Sequence, residues 1–270
     1  MSDERPIVET RNLTRCFGEL KAVNSVNLAV ASREVFGLLG PNGAGKTTTI
    51  KMLTTLLPPT DGEAWVAGFH VVRQAWSVRR SIGYVPQMVS ANANLTGYEN
   101  LLVFARVFGI PRSERSSRIR EALAFMGLAD AADRLVQGYS GGMLRRLEIA
   151  QSMIHRPNVL FLDEPTVGLD PLARDNVWTH LMKLRDEFGA TIILTTHYME
   201  EADSLCDRIA IMHLGVIAAE GTPSQLKASI GDETATLDTV FAAYAASELE
   251  GATGGFRQAA GARRVANRLK

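Results

Sequence analysis

Apolar residues come in short, continuous runs that alternate with longer segments of helical periodicity. Three of these runs, VFGLLG, VLFL and TIIL, start at residues 35, 159 and 191. Runs of this length are typical of strands that are buried on both faces of a parallel sheet. The segment DNVWTHLMKLRDEFG, between the second and third runs, has the pattern of an amphipathic helix that ends at Gly189. The alternation predicts an α/β fold with a mainly parallel sheet.

The segments between these runs predict further elements. A helix is expected at KTTTIKMLTTLL, and Pro58 and Pro59 are expected to stop it. GEAWVAGFHV and SIGYVPQ have the character of short strands, whereas residues 95–132 have helical periodicity. RIAIMHLGVIAAEG predicts a closing hairpin whose turn lies at residues 213–215.

Changes of composition along the chain indicate where its parts end. We assign residues 1–230 to one domain, with a helical subdomain at about residues 88–155, and residues 231–270 to a short C-terminal extension. After Glu250 the extension is rich in Gly, Ala and Arg and has no acidic residue, which favours partial disorder. A basic foot near anionic lipid or a membrane partner stays open as the alternative.

Composition and charge narrow the classes of function. The 270 residues are 46% hydrophobic, which is enough for a sizeable core, and 29 basic side chains balance 29 acidic ones. This balance does not favour a nucleic-acid partner. Two cysteines are too few for a disulfide framework. The N-terminal residues lack the apolar segment of a secretory signal, and no apolar run approaches the roughly 20 residues that a bilayer requires. A membrane role is therefore expected to come through a partner.

The strongest chemical signal is a glycine-rich loop between the first buried strand and the helix that follows it. GPNGAGKT, residues 40–47, matches the phosphate-loop pattern G-x-x-x-x-G-K-[ST]. Glycines let backbone N–H groups turn towards an anionic phosphate, and the helix N-terminus adds partial positive charge. Lys46 is expected to reach the outer phosphates, and the Thr47 hydroxyl is expected to bind Mg²⁺. The nucleotide-binding residues of this loop are Gly40, Pro41, Asn42, Gly43, Ala44, Gly45, Lys46, Thr47 and Thr48.

A pair of carboxylates follows the second buried strand. VLFL runs directly into Asp163 and Glu164. A carboxylate at the carboxyl end of a parallel strand lies beside the phosphate loop in this kind of fold. Asp163 is therefore expected to hold Mg²⁺, directly or through water, and Glu164 to polarise the attacking water.

YSGGM, residues 139–143, resembles a second anion-binding turn. Ser140 can cap the helix that follows and donate to a phosphate, while Gly141 and Gly142 let backbone N–H groups approach it. The helix behind the turn is expected to have an apolar stripe. The stripe comprises Met143, Leu147, Ala150 and Ile154, with Arg145, Arg146 and Glu148 off it.

The two glycine-rich loops and the acidic strand end, in this order, resemble the ATP-binding subunit of ABC transporters over about residues 7–225. The resemblance implies the fold of a P-loop NTPase cassette, with a parallel-sheet core, a small antiparallel β subdomain and a helical signature subdomain. It also implies ATP and Mg²⁺ as cofactors and ATP hydrolysis as the activity, with Lys46, Glu164 and His197 as catalytic residues.

The resemblance assigns roles to further residues. Phe17 matches the aromatic residue that stacks on adenine, and Gln87, in GYVPQ, matches the glutamine that contacts Mg²⁺ and water and couples to the membrane subunit. Asp170, in GLDP, matches the loop that crosses the dimer, and His197 matches the switch histidine near the γ-phosphate. YSGGM matches the signature motif, commonly LSGGQ, and Met143 replaces the common glutamine at the edge of that contact.

Family architecture also explains why one chain has two phosphate-binding turns. It implies two copies packed head to tail, so that each ATP lies between the phosphate loop of one copy and YSGGM of the other. It further implies an integral membrane permease as partner, no nucleic acid, and a position at the cytoplasmic face of the membrane. YSGGMLRRL, GTPSQLK and TLDTVFAAY are similar to drug-resistance ATPases of the daunorubicin-efflux type, which implies efflux of drugs or other hydrophobic compounds.

Two alternatives stay open from the sequence. A soluble ABC-type ATPase that acts on nucleic acid or ribosomes would ordinarily have two cassettes or a long coiled-coil insertion, and this chain has one set of motifs and no sustained heptads. A P-loop kinase or GTPase would leave the signature turn, Gln87 and His197 without a role.

Overall fold

The computed structural model describes residues 5–230 and 235–251. Their strands are β1 (Val8–Phe17), β2 (Leu20–Val30), β3 (Val35–Leu39), β4 (Asp61–Val66), β5 (Phe69–His70), β6 (Ile82–Val85), β7 (Val159–Asp163), β8 (Thr191–Thr196), β9 (Arg208–His213) and β10 (Val216–Gly221). Their α-helices are α1 (Lys46–Leu53), α2 (Ala75–Ser81), α3 (Gly97–Val107), α4 (Arg112–Phe125), α5 (Gly141–Met153), α6 (Pro171–Phe188), α7 (Met199–Leu205), α8 (Pro223–Ala228) and α9 (Leu237–Gly251).

The strands form two sheets. The larger has the order β10-β9-β3-β8-β7-β6, and each neighbouring pair in it is parallel except β10 with β9. The smaller, with the order β2-β1-β4-β5, is antiparallel throughout. With α3, α4 and α5 as a helical layer, this arrangement confirms the predicted α/β fold with a parallel-sheet core and a small antiparallel sheet.

The three continuous apolar runs are the buried strands β3, β7 and β8, as predicted. Their side chains alternate between two cores, since successive residues of a strand point to opposite faces. Leu160 and Leu162 pack with the helical layer, whereas Phe161 packs with the antiparallel sheet. Both faces of the parallel sheet are therefore covered, and its functional groups can reach the surface only at the strand ends.

Four of the predicted functional segments follow the carboxyl ends of adjacent parallel strands. The glycine-rich loop follows β3, His197 follows β8, Glu164 follows β7 and Gln87 lies two residues after β6. Because β3, β8, β7 and β6 are neighbours in this order, their following loops meet at one edge of the sheet.

The end of α1 differs from the prediction. The helix ends at Leu53 rather than at Pro58 and Pro59. The Thr54 hydroxyl donates to the Ile50 carbonyl, 2.8 Å away, and Thr55 takes a left-handed conformation with φ 65°. The chain therefore leaves the helix four residues before the first proline.

Two other local predictions are confirmed. The helix α6 ends at Gly189, which takes the left-handed conformation with φ 64°. β9 and β10 form the closing hairpin, and its turn contains Leu214 and Gly215, both at positive φ.

The described part of the C-terminal extension contains a helix that contacts the cassette. α9 packs on α7 and α8, and its residues Leu237 and Val240 are buried. The stretch rich in Gly, Ala and Arg, for which we predict partial disorder, lies outside the described residues after 251. Within the described ranges, no helix has the length and apolarity needed to cross a bilayer.

His155 is a half-buried imidazole just after α5. It stacks on Phe108 with ring centroids 3.6 Å apart, and its Nε2 lies 2.9 Å from the Ile82 carbonyl oxygen. Burial lowers the pKa of His155 to about 4, although the hydrogen bond to Ile82 acts in the opposite direction. The folded protein therefore holds a neutral imidazole at pH values where the unfolded chain, with an ordinary pKa of about 6.5, is protonated.

We expect this difference to make stability fall in mild acid. Because the unfolded state takes up the proton first, the free energy of unfolding should drop by about 2 kcal/mol between about pH 7 and 5 through His155 alone. Denaturant titrations at several pH values should show a steeper loss for the natural protein than for His155→Gln. Equal pH slopes for the two proteins would show that His155 is not held neutral.

Candidate functional site

The glycine-rich loop links β3 to α1 and places the start of that helix at the sheet edge. Gly45, the residue before α1, has φ 110°, and a Cβ atom there would lie 2.5 Å from the Ala22 carbonyl oxygen. Only glycine fits this position. The loop therefore presents the N-terminus of α1, with its unpaired N–H groups, to the region where Lys46 and the strand ends meet.

Lys46 is a buried cation at the centre of the loop. Its Nζ donates to the carbonyl oxygens of Gly40 at 2.7 Å and Pro41 at 3.2 Å. It also lies 3.5 Å from Oε1 of Glu164. Burial lowers the pKa of Lys46, and the charges of Glu164 and Asp163 oppose that effect. The ammonium group is thus held where an anionic ligand of the loop would meet it.

Asp163, the last residue of β7, is hydrogen-bonded to both β8 and α1. Its Oδ1 accepts hydrogen bonds from the hydroxyl groups of Thr195, at 2.6 Å, and Thr47, at 3.0 Å. The carboxylate is 1% exposed. Together with burial, its charge raises the pKa of Tyr84 to about 12. The structure therefore brings together two of the three residues that we predict to bind a metal, Thr47 and Asp163.

Glu164 is the meeting point of the remaining predicted catalytic groups. Its Oε2 accepts a hydrogen bond from the Gln87 side-chain amide at 3.2 Å and lies 3.4 Å from Nδ1 of His197. Its backbone is left-handed, with φ 49°, and its N–H donates to the carbonyl and the hydroxyl oxygen of Thr195. One 5% exposed carboxylate thus contacts Lys46, Gln87 and His197.

YSGGM forms the N-terminus of α5, as predicted. Ser140 is the N-cap, and its hydroxyl oxygen accepts a hydrogen bond from the Met143 N–H at 3.3 Å. A Cβ atom on Gly142 would lie 2.9 Å from Cβ of Ala173, so this glycine lets α5 pack closely on α6. Asp170 caps α6 by accepting from the Ala173 N–H at 2.9 Å. The turn before α5 and the turn before α6 therefore lie side by side.

The structure does not join this turn to the glycine-rich loop. Among the described residues, no hydrogen bond or ion pair links YSGGM to residues 40–48. Ser140 and Gly141 are exposed. Phe17 also stands apart: it ends β1 with 46% of its surface exposed, and the Arg15 guanidinium lies 4.8 Å from its ring centroid.

Arg145 and Glu148 lie off the predicted apolar stripe of α5, yet neither faces solvent. Both side chains are buried, 5% and 2% exposed, and they form an ion pair of 3.1 Å. The helix lies between the sheet and the other helices, so it has no fully solvated side at these positions. Burial lowers the pKa of Arg145, and the charges of Glu148 and Asp163 oppose that effect.

This buried pair holds the segment that contains Gln87. Arg145 donates to the carbonyl oxygens of Pro86 at 2.8 Å and Gln87 at 3.0 Å, and Glu148 accepts from the N–H and hydroxyl groups of Ser90. The helix that begins at Ser140 therefore positions the loop whose glutamine contacts Glu164. Our predictions from the sequence did not include this connection between α5 and the Gln87 loop. The one pattern that could have indicated it is a pair of opposite charges, Arg145 and Glu148, three residues apart on a largely apolar helix.

The fold and these contacts define a class of protein. A buried lysine in a glycine-rich strand-to-helix loop, a threonine and an aspartate that share a hydrogen bond, and an adjacent glutamate are the parts of a P-loop nucleoside triphosphatase.

Comparisons with known proteins show which family of P-loop proteins the chain resembles. The family model for ABC transporters matches residues 23–167. The daunorubicin/doxorubicin resistance ATP-binding protein DrrA of Streptomyces peucetius is 46% identical over 85% of this chain and 69% of its own length. The Nod factor export ATP-binding protein I of Burkholderia lata is 41% identical over 91% of this chain and 84% of its own. A dimeric ATP-binding cassette in a post-hydrolysis state, bound to ADP and Pi, superposes with a TM-score of 0.70 at 28% identity and covers 80% of this chain and 98% of that one.

The chain belongs to the ABC transporter family, and within it this chain is an ATP-binding cassette with ATPase activity. The family resemblance seen in the motifs is thereby confirmed. Membership of a transporter family also favours transport over the alternative of an ATPase that acts on nucleic acid or ribosomes.

The Arg145–Glu148 pair allows a test of its positioning role. Arg145→Met alone strands a buried carboxylate and should cost about 3–5 kcal/mol of unfolding free energy. Arg145→Met/Glu148→Leu should recover most of that loss, because two apolar side chains can pack in the same space. The double variant should still hydrolyse ATP about tenfold more slowly, since the Gln87 loop has lost its hydrogen bonds to α5.

Denaturant unfolding and ATPase kinetics, measured on the same preparations, separate the two effects. A stable double variant with full ATPase activity would show that the pair only stabilises the fold.

Proposed function

We propose that this ATPase binds Mg-ATP between two copies of the chain packed head to tail, and that it powers a separate integral membrane permease. The observation that supports this most is the separation of its two anion-binding helix N-termini. Lys46 lies at one of them and the exposed Ser140 at the other, and no described hydrogen bond or ion pair joins the turns. A second copy could close each site, and the compared cassette bound to ADP and Pi is itself a dimer.

In this proposal the first half-site binds the phosphates. Backbone N–H groups of residues 40–48 and the start of α1 surround the β- and γ-phosphates, with Lys46 supplying the positive charge. Burial favours this use of Lys46, because an ammonium group that is already desolvated interacts more strongly with an incoming anion. Phe17, exposed at the end of β1, stacks on the adenine ring.

The residues next to the phosphates fit a magnesium ion. The Thr47 hydroxyl and the Asp163 carboxylate lie 3.0 Å apart, and both offer the oxygen ligands that Mg²⁺ prefers. The Gln87 amide nitrogen donates to Glu164, which leaves its amide oxygen as a further ligand. A Mg²⁺ ion bound there would be held by Thr47, Asp163 and Gln87 and would neutralise charge on the phosphates.

Glu164 activates the attacking water. The Gln87 amide and the His197 ring lie on the same carboxylate oxygen and so fix its direction, while Thr195 holds the strained backbone of Glu164. A carboxylate held in this way can accept a proton from water without first reorganising. In this proposal His197 contacts the γ-phosphate, and its position after β8, beside Glu164, supports that role.

The second half-site completes the binding of a neighbour's ATP. Ser140, Gly141 and Gly142 present a hydroxyl group and the N-terminus of α5 to the γ-phosphate, and Asp170 lies in the adjoining turn. Hydrolysis removes the phosphate that these groups hold, so the dimer loosens after each turnover. Arg145 connects α5 to the Gln87 loop. Through this contact, phosphate binding at Ser140 would affect the position of Gln87, and a change at Gln87 would affect α5.

The names of the relatives indicate the transported compounds. One confers daunorubicin and doxorubicin resistance and another exports Nod factor. We infer export of a drug or another hydrophobic compound through a permease in another chain, with this chain at the cytoplasmic face of the membrane.

ATP should drive pairing of the chains, and ADP should not. Glu164→Gln removes the group that activates water but keeps its shape, so this variant should accumulate as an ATP-bound dimer. Light scattering in saturating Mg-ATP should give twice the monomer mass, and in Mg-ADP the monomer mass.

The matched control is Lys46→Ala/Glu164→Gln, which should stay monomeric in Mg-ATP because it lacks the phosphate-binding cation. Thermal unfolding shows whether each variant has bound ATP. A Glu164→Gln protein that binds ATP yet stays monomeric would contradict the head-to-tail model.

A further inference from the structure

An open cavity of about 1030 Å³ lies at the edge of the parallel sheet where β7 and β8 begin. The nucleotide site lies at the opposite edge, where these strands end. The cavity is bordered by α4, by the ends of α5 and α6, and by residues at the starts of β7 and β8. Asn158 borders it just before β7, whereas Asp163 of the nucleotide site is at the other end of the same strand. The length of a buried strand, about 16 Å, therefore separates the two sites.

The floor of the cavity is apolar and aromatic. Phe125 and Phe188 meet edge to face, with ring centroids 5.2 Å apart, and Phe188 is 55% exposed. The other apolar residues of the floor are Met126, Met153, Ile154 and Leu184. A surface of this kind gains free energy when an apolar body covers it.

The rim of the cavity has more positive than negative charge. Arg33, Arg118 and Arg156 line it with a single acidic residue, Glu121. Arg118 is neutralised by an ion pair with Glu114 at 2.7 Å. For the side chains of Arg33 and Arg156 the described residues provide neither an ion pair nor a hydrogen bond.

The Arg33 side chain lies against the turn after α6. A Cβ atom on Gly189 would lie 2.8 Å from Nε of Arg33, so the guanidinium rests against the backbone of a glycine that also borders the cavity. Its charge therefore lies at the rim, beside the aromatic floor.

We infer that this cavity is a second ligand site and that it takes an amphipathic organic anion. The aromatic or aliphatic body of the ligand packs on Phe125 and Phe188, and its carboxylate or sulfonate group faces Arg33 and Arg156. The volume matches that of pockets for single drug-sized molecules. Because the site shares no residue with the nucleotide-binding residues, binding there does not require the proposed ATP dimer.

Two fluorescent probes with the same aromatic scaffold test this inference. The sulfonate 8-anilinonaphthalene-1-sulfonate should bind one per chain, and saturating ADP should not displace it. N-phenyl-1-naphthylamine, which lacks the sulfonate, should bind through its aromatic body alone.

Variants of the rim and the floor separate charge from packing. Arg33→Gln/Arg156→Gln should weaken binding of the sulfonate probe roughly fivefold or more and leave the neutral probe unchanged. The matched control, Arg106→Gln/Arg112→Gln, removes two exposed arginines outside the cavity and should change neither. Ala124→Trp, at an exposed position that borders the cavity, should fill it and abolish binding of both probes.

Melting temperatures confirm that each variant is folded. Three results would overturn the inference: displacement of the sulfonate probe by ADP, an unchanged sulfonate affinity in Arg33→Gln/Arg156→Gln, or an equal loss in the control pair.

Discussion

The site depends on one electrostatic constraint: two consecutive carboxylates and one ammonium group are buried together at the edge of a parallel sheet. Each charge would be costly in such a place alone, and each is compensated by the groups around it. Asp163 accepts from two threonine hydroxyls, Glu164 contacts an amide, an imidazole and Lys46, and Lys46 donates to loop carbonyls. The order of β3, β8, β7 and β6 in the sheet brings all these groups within reach of one another.

The second constraint is the buried ion pair that connects the helix after YSGGM to the loop that contains Gln87. Arg145 and Glu148 lie on the helix that begins at Ser140, and they hold the backbone on both sides of Gln87. Because Gln87 contacts Glu164, a shift of α5 reaches the Glu164 carboxylate, the proposed water-activating group, through hydrogen-bonded groups in contact. The buried pair thus offers a physical route by which a phosphate at Ser140 could influence chemistry at Glu164.

Much of the fold and the site follows from local sequence patterns. Continuous apolar runs predicted β3, β7 and β8, and the glycine loop, Asp163 and Glu164 could be located because their spacing reflects phosphate chemistry. Other features depend on tertiary contacts that no local pattern encodes. The end of α1 is set by Thr54 and Thr55 rather than by the prolines, and the burial of Arg145 and Glu148 depends on the loop that packs over them. Gly142, expected to admit a phosphate, is also required for packing against Ala173.

The central claim is that each ATP lies between Lys46 of one copy and Ser140 of another, and mixing two inactive variants tests it most directly. Lys46→Ala disables the first half-site, and Ser140→Asp keeps a helix cap while placing a negative charge against the phosphate. Each variant alone should lack ATPase activity. Their equimolar mixture should recover about a quarter of the natural rate, because half of the random dimers contain one intact site of two. A mixture as inactive as its components would contradict a site shared between chains.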